Sequence, residues 1–210
     1  MPVSHLIFLA EEPSMEAFLQ TLMPRILPKS ITFEVHPFQG KNDLLGKIGA
    51  RLKAYANWLP PEWRLLVMVD RDDDDCKELK NTLEEISLEA GLISRSQGKN
   101  QPWQVANRIV IEELEAWYFG DWEAIRSSFP RVPATIAQRQ GFRDPDLISG
   151  GTWEAFERVM QNHGYYRAGL AKIEAARKFG AYTIPARSRS KSFSAFFSVI
   201  EEVLADAQCS

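Results

Sequence analysis

The chain has little of what a stapled or metal-knit scaffold needs. Of 210 residues only two are cysteine, Cys76 and Cys209, and three are histidine. Nothing in their number or spacing suggests a disulfide framework or a zinc site. No apolar run approaches the length of a membrane span. The start, Met-Pro-Val-Ser-His, lacks the basic region and cleavage pattern of a secretion signal. These absences lead us to expect a cytoplasmic protein with no membrane partner. Strong positive charge is missing too: the net charge of −3 does not announce a nucleic-acid binder. What remains, 45% apolar and 25% charged, is the composition of an ordinary globule. The length suits one substantial domain, or one domain with an appendage.

The charge is unevenly spread. Asp70 to Ala90 holds nine acidic and three basic residues, and Gln161 to Ser192 holds seven Lys/Arg and one Glu. An acidic pole and a basic arm suit a metal site beside an anion-binding surface. Solvated helical faces would give the same counts.

The acidic pole begins in Arg64-Leu-Leu-Val-Met-Val-Asp-Arg-Asp-Asp-Asp-Asp-Cys76. The apolar run Leu65 to Val69 reads as a strand buried on both faces. Ligands in open α/β sheets bind beyond the carboxyl ends of strands, and here that place receives five aspartates. So much like charge is unfavourable without a cation, and a hard divalent ion prefers carboxylate oxygens. A helix over Cys76 to Ala90 would use one aspartate as its cap, not five. An EF-hand fails, because counting from Asp70 its glycine and glutamate positions are Asp75 and Asn81. The phosphatases of the haloacid-dehalogenase type fail as well: Asp73 stands where they carry Thr or Val, and the motif is not on the first strand. Cys76 reads as a helix-start residue, since the carboxylates beside it oppose a thiolate.

Two more strand ends carry acid. His5 to Ala10 is a short apolar run that leads to Glu11-Glu12-Pro13-Ser14, with Pro13 suited to a first helical turn. Met15, Phe18, Leu19, Leu22 and Met23 continue at helical spacing. Val105 to Ile111 runs into Glu112-Glu-Leu-Glu115-Ala-Trp117, and a helix from about Leu114 puts Glu115 in its first turn. Trp117 would be core, or would exclude water behind a carboxylate. Between these lie a strand from Ile31 to His36 and a helix from Leu44 to Trp58, preceded by a turn and cap over Gly40 to Asp43. His36 reads as structural and Lys41 as a surface lysine, with an anion contact as the alternative. The alternation of strand and helix predicts a parallel βαβ sheet. Glu11 would then share one sheet edge with the aspartates, as a ligand or as general acid or base. The bland alternative is that it merely favours the helix dipole.

After about residue 120 no strand is expected. Helices are predicted over Trp153–Gln161, Leu170–Phe179 and Phe193–Ala205, in a helical elaboration over residues 126–210 packed on a core of residues 1–125. Arg187, Arg189 and Lys191 precede the last helix, where they and the backbone N–H groups could hold a phosphate. The same segment reads equally as a mobile linker.

The three acidic strand ends together resemble the Toprim fold of topoisomerases, primases and the overcoming-lysogenization-defect nucleases. Leu9-Ala-Glu11-Glu-Pro13-Ser14 looks like the first Toprim motif, with Glu12 where many members carry Gly. Asp70-Arg-Asp72 matches the second, extended by Asp74, and Glu115 to Asp121 resembles a further acidic segment. Most of the chain is similar to a Toprim-related family of unknown function (domain of unknown function four-two-seven-six). The resemblance implies an α/β, Toprim-like, mostly parallel sheet flanked by helices. It also implies metal-dependent phosphodiester chemistry, often in bacterial defence beside an ATPase partner.

The leading expectation is therefore a Mg²⁺-dependent (or Mn²⁺-dependent) nuclease or related phosphoryl-transfer enzyme acting on nucleic acid. Asp70 and Asp72 would hold the metal, Asp74 and Glu115 would be further ligands, and Glu11 would complete the site or move a proton. The rival is a non-catalytic subunit that keeps the scaffold and docks an ATPase; a small-molecule phosphatase ranks third. Catalysis requires Glu11, Asp70, Asp72 and preferably Glu115 to converge on a cavity open to solvent. A sealed pocket would favour the rival.

Overall fold

The computed structural model describes residues 2–98, 102–148 and 150–208. Part of the loop expected over 91–102, and Cys209, lie outside the described residues. Four strands form one sheet: β1 (His5–Ala10), β2 (Thr32–Pro37), β3 (Trp63–Asp70) and β4 (Val105–Val110). Every pairing is parallel and the spatial order is β2-β1-β3-β4. Helices α1 (Pro13–Ile26), α2 (Lys41–Ala56) and α3 (Cys76–Glu89) make the crossovers. The α/β expectation holds, because the apolar runs of β1 and β3 are buried on both faces and each connection is long enough to cross over.

Side-chain alternation assigns the two faces. Leu65, Val67 and Val69 join Ile7 and Leu9 in a core covered by α2 and α3. Leu66 and Met68 join Leu6, Phe8 and Ala10 in a larger core covered by α1 and the C-terminal helices. Those helices are α4 (Leu114–Gly120), α5 (Trp122–Ser128), α6 (Thr152–Asn162), α7 (Lys172–Tyr182) and α8 (Lys191–Gln208), with short 3₁₀ turns between. Aromatic rings tie them to α1 and the sheet: Phe18 stacks on Phe179 at 6.0 Å between centroids, and Trp117 on Phe196 at 5.1 Å. By the same alternation Asp70 falls on this face, beneath the C-terminal helices.

Local caps match the sequence with two shifts. Pro13 opens α1 and Asp75 caps α3, accepting from the Lys77 and Glu78 amides at 2.8 and 3.0 Å. Helix α2 starts at Lys41, three residues before the expected Leu44. Asp43 does not cap it but reaches back to the Gln39 amide at 3.1 Å. Helix α5 was hidden by the prolines that follow it; Asp121 caps it through the Ala124 amide at 3.1 Å. Among the described residues no helix is long and apolar enough to cross a membrane.

Candidate active site

All four strands end on one edge, and their exits are laced together. The Glu11 amide donates to the Met68 carbonyl at 3.1 Å, and the Asp70 amide donates to the Glu11 carboxylate at 2.9 Å. The Glu11 side chain thus takes the place that a further β1 carbonyl would have had. Across the other seam the Arg71 amide donates to the Val110 carbonyl at 2.8 Å and the Asp72 amide to the Glu112 carbonyl at 3.1 Å. Asp72 and Glu112 adopt left-handed backbone, at φ 47° and 60°. That conformation is costly for non-glycine residues, and such strain gathers at functional sites.

Three of the carboxylates expected in the site are buried at this edge. Glu11 is 8% exposed, Asp70 6% and Glu115 0%. Burial pushes the Glu11 carboxyl up to about 7, against the amide bond from Asp70. Burial raises Asp70 well above the carboxylate range, helped by the charges of Glu11, Glu12 and Glu115. Burial also raises Glu115 to about 7, with Lys172 pulling the other way. Both Glu115 oxygens are buried without a hydrogen-bond partner, as is the hydroxyl of Tyr118 one turn on. A buried carboxylate with neither oxygen bonded is rare, because its desolvation is uncompensated. Among the described residues, no three His, Cys, Asp or Glu side chains lie close enough together to hold a metal ion as they stand. The donor chemistry of Glu115, Asp70 and Glu11 is that which a hard cation prefers.

Asp72 and Asp74 are differently placed. Both accept from Lys41 Nζ at 2.8 Å, and the same ammonium donates to the Arg71 carbonyl at 2.9 Å. Burial would lower the Lys41 pKa, but its bonds to Asp72 and Asp74 outweigh that and raise it. The lysine expected at the surface is in fact the cation that neutralises this half of the cluster. Lys41→Met is expected to lower stability by about 1–2 kcal/mol, because two half-exposed carboxylates lose a charged partner; urea denaturation measures it.

Nothing in the sequence pattern singles out Lys172. It arrives from the start of α7, 3.9 Å from Glu12 and 5.6 Å from the centroid of the Trp153 ring. Burial lowers its pKa, yet the fields of Glu115, Glu12, Glu113 and Asp70 more than restore it. Glu113 itself is structural: it accepts from the Thr152 hydroxyl and the Trp153 amide, both at 2.9 Å, at the start of α6.

The basic segment before α8 is pinned rather than mobile. Arg187 reaches Asp121 through Nε and Nη2 at 3.2 and 2.9 Å, and Glu123 through Nη1 at 2.9 Å. The Arg189 amide donates to the Gly120 carbonyl at 3.0 Å. A Cβ on Gly120 would sit 2.8 Å from Ser188 Oγ, so only glycine lets the segment lie this close. The amide cradle expected to hold a phosphate is filled by the chain's own Asp146. Its carboxylate accepts from the Ser190 hydroxyl at 2.7 Å and from the Lys191 and Ser192 amides at 2.6 and 3.3 Å. Arg187 is likewise committed to carboxylates, while the side chains of Arg189 and Lys191 stay exposed. Asp146→Ala is expected to cost about 2 kcal/mol, since buried amide and hydroxyl donors lose their acceptor; thermal denaturation at neutral pH checks it.

A cleft of about 530 Å³ opens beside the acid cluster, lined by Arg71, Asp72, Asp73, Glu112 and Glu154 with Leu147 and Ile148. Arg71 pairs with Glu112 across it. Glu11, Asp70 and Glu115 do not line it.

This arrangement, acids at successive parallel strand ends under a helical cover, runs through the stretch that one family model recognises. That model, described as Domain of unknown function (DUF4276), matches residues 10–201. The chain belongs to this family. No curated protein matches the chain, and no solved structure does. The DUF4276 match takes in all three acidic strand ends and Lys172, so the sheet edge and the helical cover are parts of one family unit.

Proposed function

We propose that this DUF4276 protein is a metal-dependent phosphoryl-transfer enzyme, a phosphodiester hydrolase in its simplest form, working with Mg²⁺ or Mn²⁺ at the buried strand-end carboxylates. The observation that carries the proposal is Glu115, fully buried with both oxygens unbonded beside Asp70. A cation is what such a group lacks. The resemblance of Glu11 and of Asp70-Arg-Asp72 to Toprim motifs supports the same chemistry. Glu115 and Asp70 would hold the ion, with Glu11 next to them, and an ion so held would polarise a phosphate and acidify a bound water. The chain's own contributions are three. The Asp70 amide orients Glu11. Glu11, raised to about 7, can take or give a proton near neutrality. Lys172 places positive charge from the cover helix against the acids.

The test is cleavage of single- and double-stranded DNA and of RNA by the purified chain, with Mg²⁺, Mn²⁺ or EDTA, beside Asp70→Ala. Metal-dependent cleavage that Asp70→Ala abolishes supports the proposal. Cleavage that survives EDTA or Asp70→Ala defeats it.

A second reading has its own observation: the three acids are buried and do not line the cleft beside Asp72. That favours a binding subunit that keeps the scaffold and docks an ATPase, as in a bacterial defence system. A chain that takes up metal, melts higher with it and cleaves none of the substrates would support this reading instead.

A further inference from the structure

The charge asymmetry has a definite location. Residues 126–191 hold twelve Lys/Arg against five Asp/Glu, while the rest of the chain holds 13 against 23. Part of this excess borders one groove at the far end of α4. The groove, about 380 Å³, is lined by Gln138, Arg187 and Arg189 together with Asp121 and Glu123. Arg143 adjoins it, its Nε donating to the Gln138 carbonyl at 3.4 Å. Glu123 continues the surface into a shallow depression shared with Arg126. The two acids are already engaged by Arg187. Arg126, Arg143 and Arg189 are exposed, and none makes an ion pair among the described residues. Beside them stand two exposed apolar side chains, Tyr182 at 49% and Ile184 at 44%. Arg187 Nη2 donates to the Tyr182 carbonyl at 2.8 Å, which ties the Tyr182 backbone to an arginine of the groove.

We infer that this groove binds a single-stranded nucleic acid. Guanidinium groups at an ordered groove track a phosphate backbone, and an exposed aromatic face beside them stacks on an unpaired base. A duplex hides its base faces, so Tyr182 would have nothing to stack on. The groove is joined through the chain to the cleft beside Asp72. The Arg187–Arg189 segment continues into Ser190, which is locked on Asp146, and Leu147 and Ile148 just beyond it line the cleft beside Asp72. The inference deepens the phosphodiester reading, and rests on it, by naming the strand that the site would receive.

Binding is measured in EDTA, so no cleavage is needed and no metal contributes. Fluorescently labelled 20-nucleotide DNA and RNA strands of one sequence, and the matching duplexes, are titrated with the full chain. A single strand of either kind is expected to bind better than its duplex. Arg126→Glu/Arg189→Glu should weaken it at least tenfold and flatten the salt dependence by roughly 0.7 in slope for each phosphate that goes unneutralised. Tyr182→Ala should weaken it about tenfold with the salt slope unchanged. Lys53→Glu, on α2 at the opposite face of the sheet, should bind as the parent does. The exposed arginines support no described ion pair, and matching melting curves confirm folded variants. Duplex preference, no binding, or equal weakening by Lys53→Glu overturns the inference. A parent chain that takes up metal but binds no strand overturns the groove and leaves the acid-cluster reading standing; one that binds the strand but takes up no metal does the reverse.

Discussion

Glu115→Met is expected to make the metal-free protein more stable and to abolish its response to metal. At pH 8 in EDTA the wild-type carboxylate is ionised in a site where burial has raised it to about 7. Against an unfolded value of 4.5, that shift corresponds to about 3 kcal/mol of strain in the folded state. Neither oxygen has a hydrogen-bond partner to lose, and methionine fills a similar volume. The melting temperature should therefore rise by roughly 5–10 °C at pH 8 for a chain of this length. At pH 5 wild-type Glu115 is already protonated, and the gain should shrink to about 1 kcal/mol or less. Lys172→Met should act in the opposite direction at pH 8, because it withdraws the positive charge that faces Glu115, Glu12, Glu113 and Asp70. Added Mg²⁺ or Mn²⁺ should raise the melting temperature of wild type and not of Glu115→Met. An unchanged or lower melting temperature for Glu115→Met at pH 8 would show that Glu115 is satisfied in solution, and the main support for a cation would be gone.

The frame of this site was readable because its signals are local. An apolar run of β residues followed by acid, three times over, predicts parallel strands and places Glu11, Asp70 and Glu115 at one edge. What separated the five aspartates was not local. Asp75 became a cap, Asp72 and Asp74 turned to Lys41, and Asp70 followed the pleat inward. Nothing in the spacing of Asp70 to Asp75 tells these fates apart, because each depends on a partner brought by another element. Lys172 lies more than fifty residues beyond Glu115, in a helix whose pattern reports only its own apolar stripe. The N-terminus of α8 shows the same limit: the basic, serine-rich segment suggests an anion, and an anion is there, but it is Asp146 from a distant 3₁₀ turn. The partners that occupy these places, Asp146 at α8 and Lys41 at Asp72 and Asp74, are brought by other elements and leave no mark on the local pattern.

Without metal, stability should be greatest near pH 5 and fall steadily up to pH 8. Glu11 and Glu115 have folded values of about 7 against 4.5 unfolded, and Asp70 is raised further still. A carboxyl raised by folding contributes stability while it is protonated, fully below the unfolded value, and loses it as pH climbs through the folded value. For Glu11 and Glu115 together the loss between pH 4.5 and 8 is on the order of 5 kcal/mol, a large share of a typical domain's stability. Glu84 and Glu202 pull the other way. Their pKa values are lowered, against the penalty of burial, by Lys80 for the first and Arg95 for the second. Their contribution is therefore lost as pH drops below about 4.5, which sets the acid side of the maximum. A divalent cation should flatten the alkaline limb, since the metal-bound protein and the unfolded chain both carry these carboxylates deprotonated, so binding strengthens with pH by as much as the metal-free stability falls. Urea denaturation at pH 5, 6, 7 and 8, in EDTA and in Mg²⁺, reads both curves. Curves that coincide near pH 5 and separate towards pH 8, falling in EDTA and level in Mg²⁺, mean that the buried acids are a cation site held in its protonated form. Two flat, superimposed profiles mean that folding does not hold these acids protonated and that no ion binds them, and the cation reading falls.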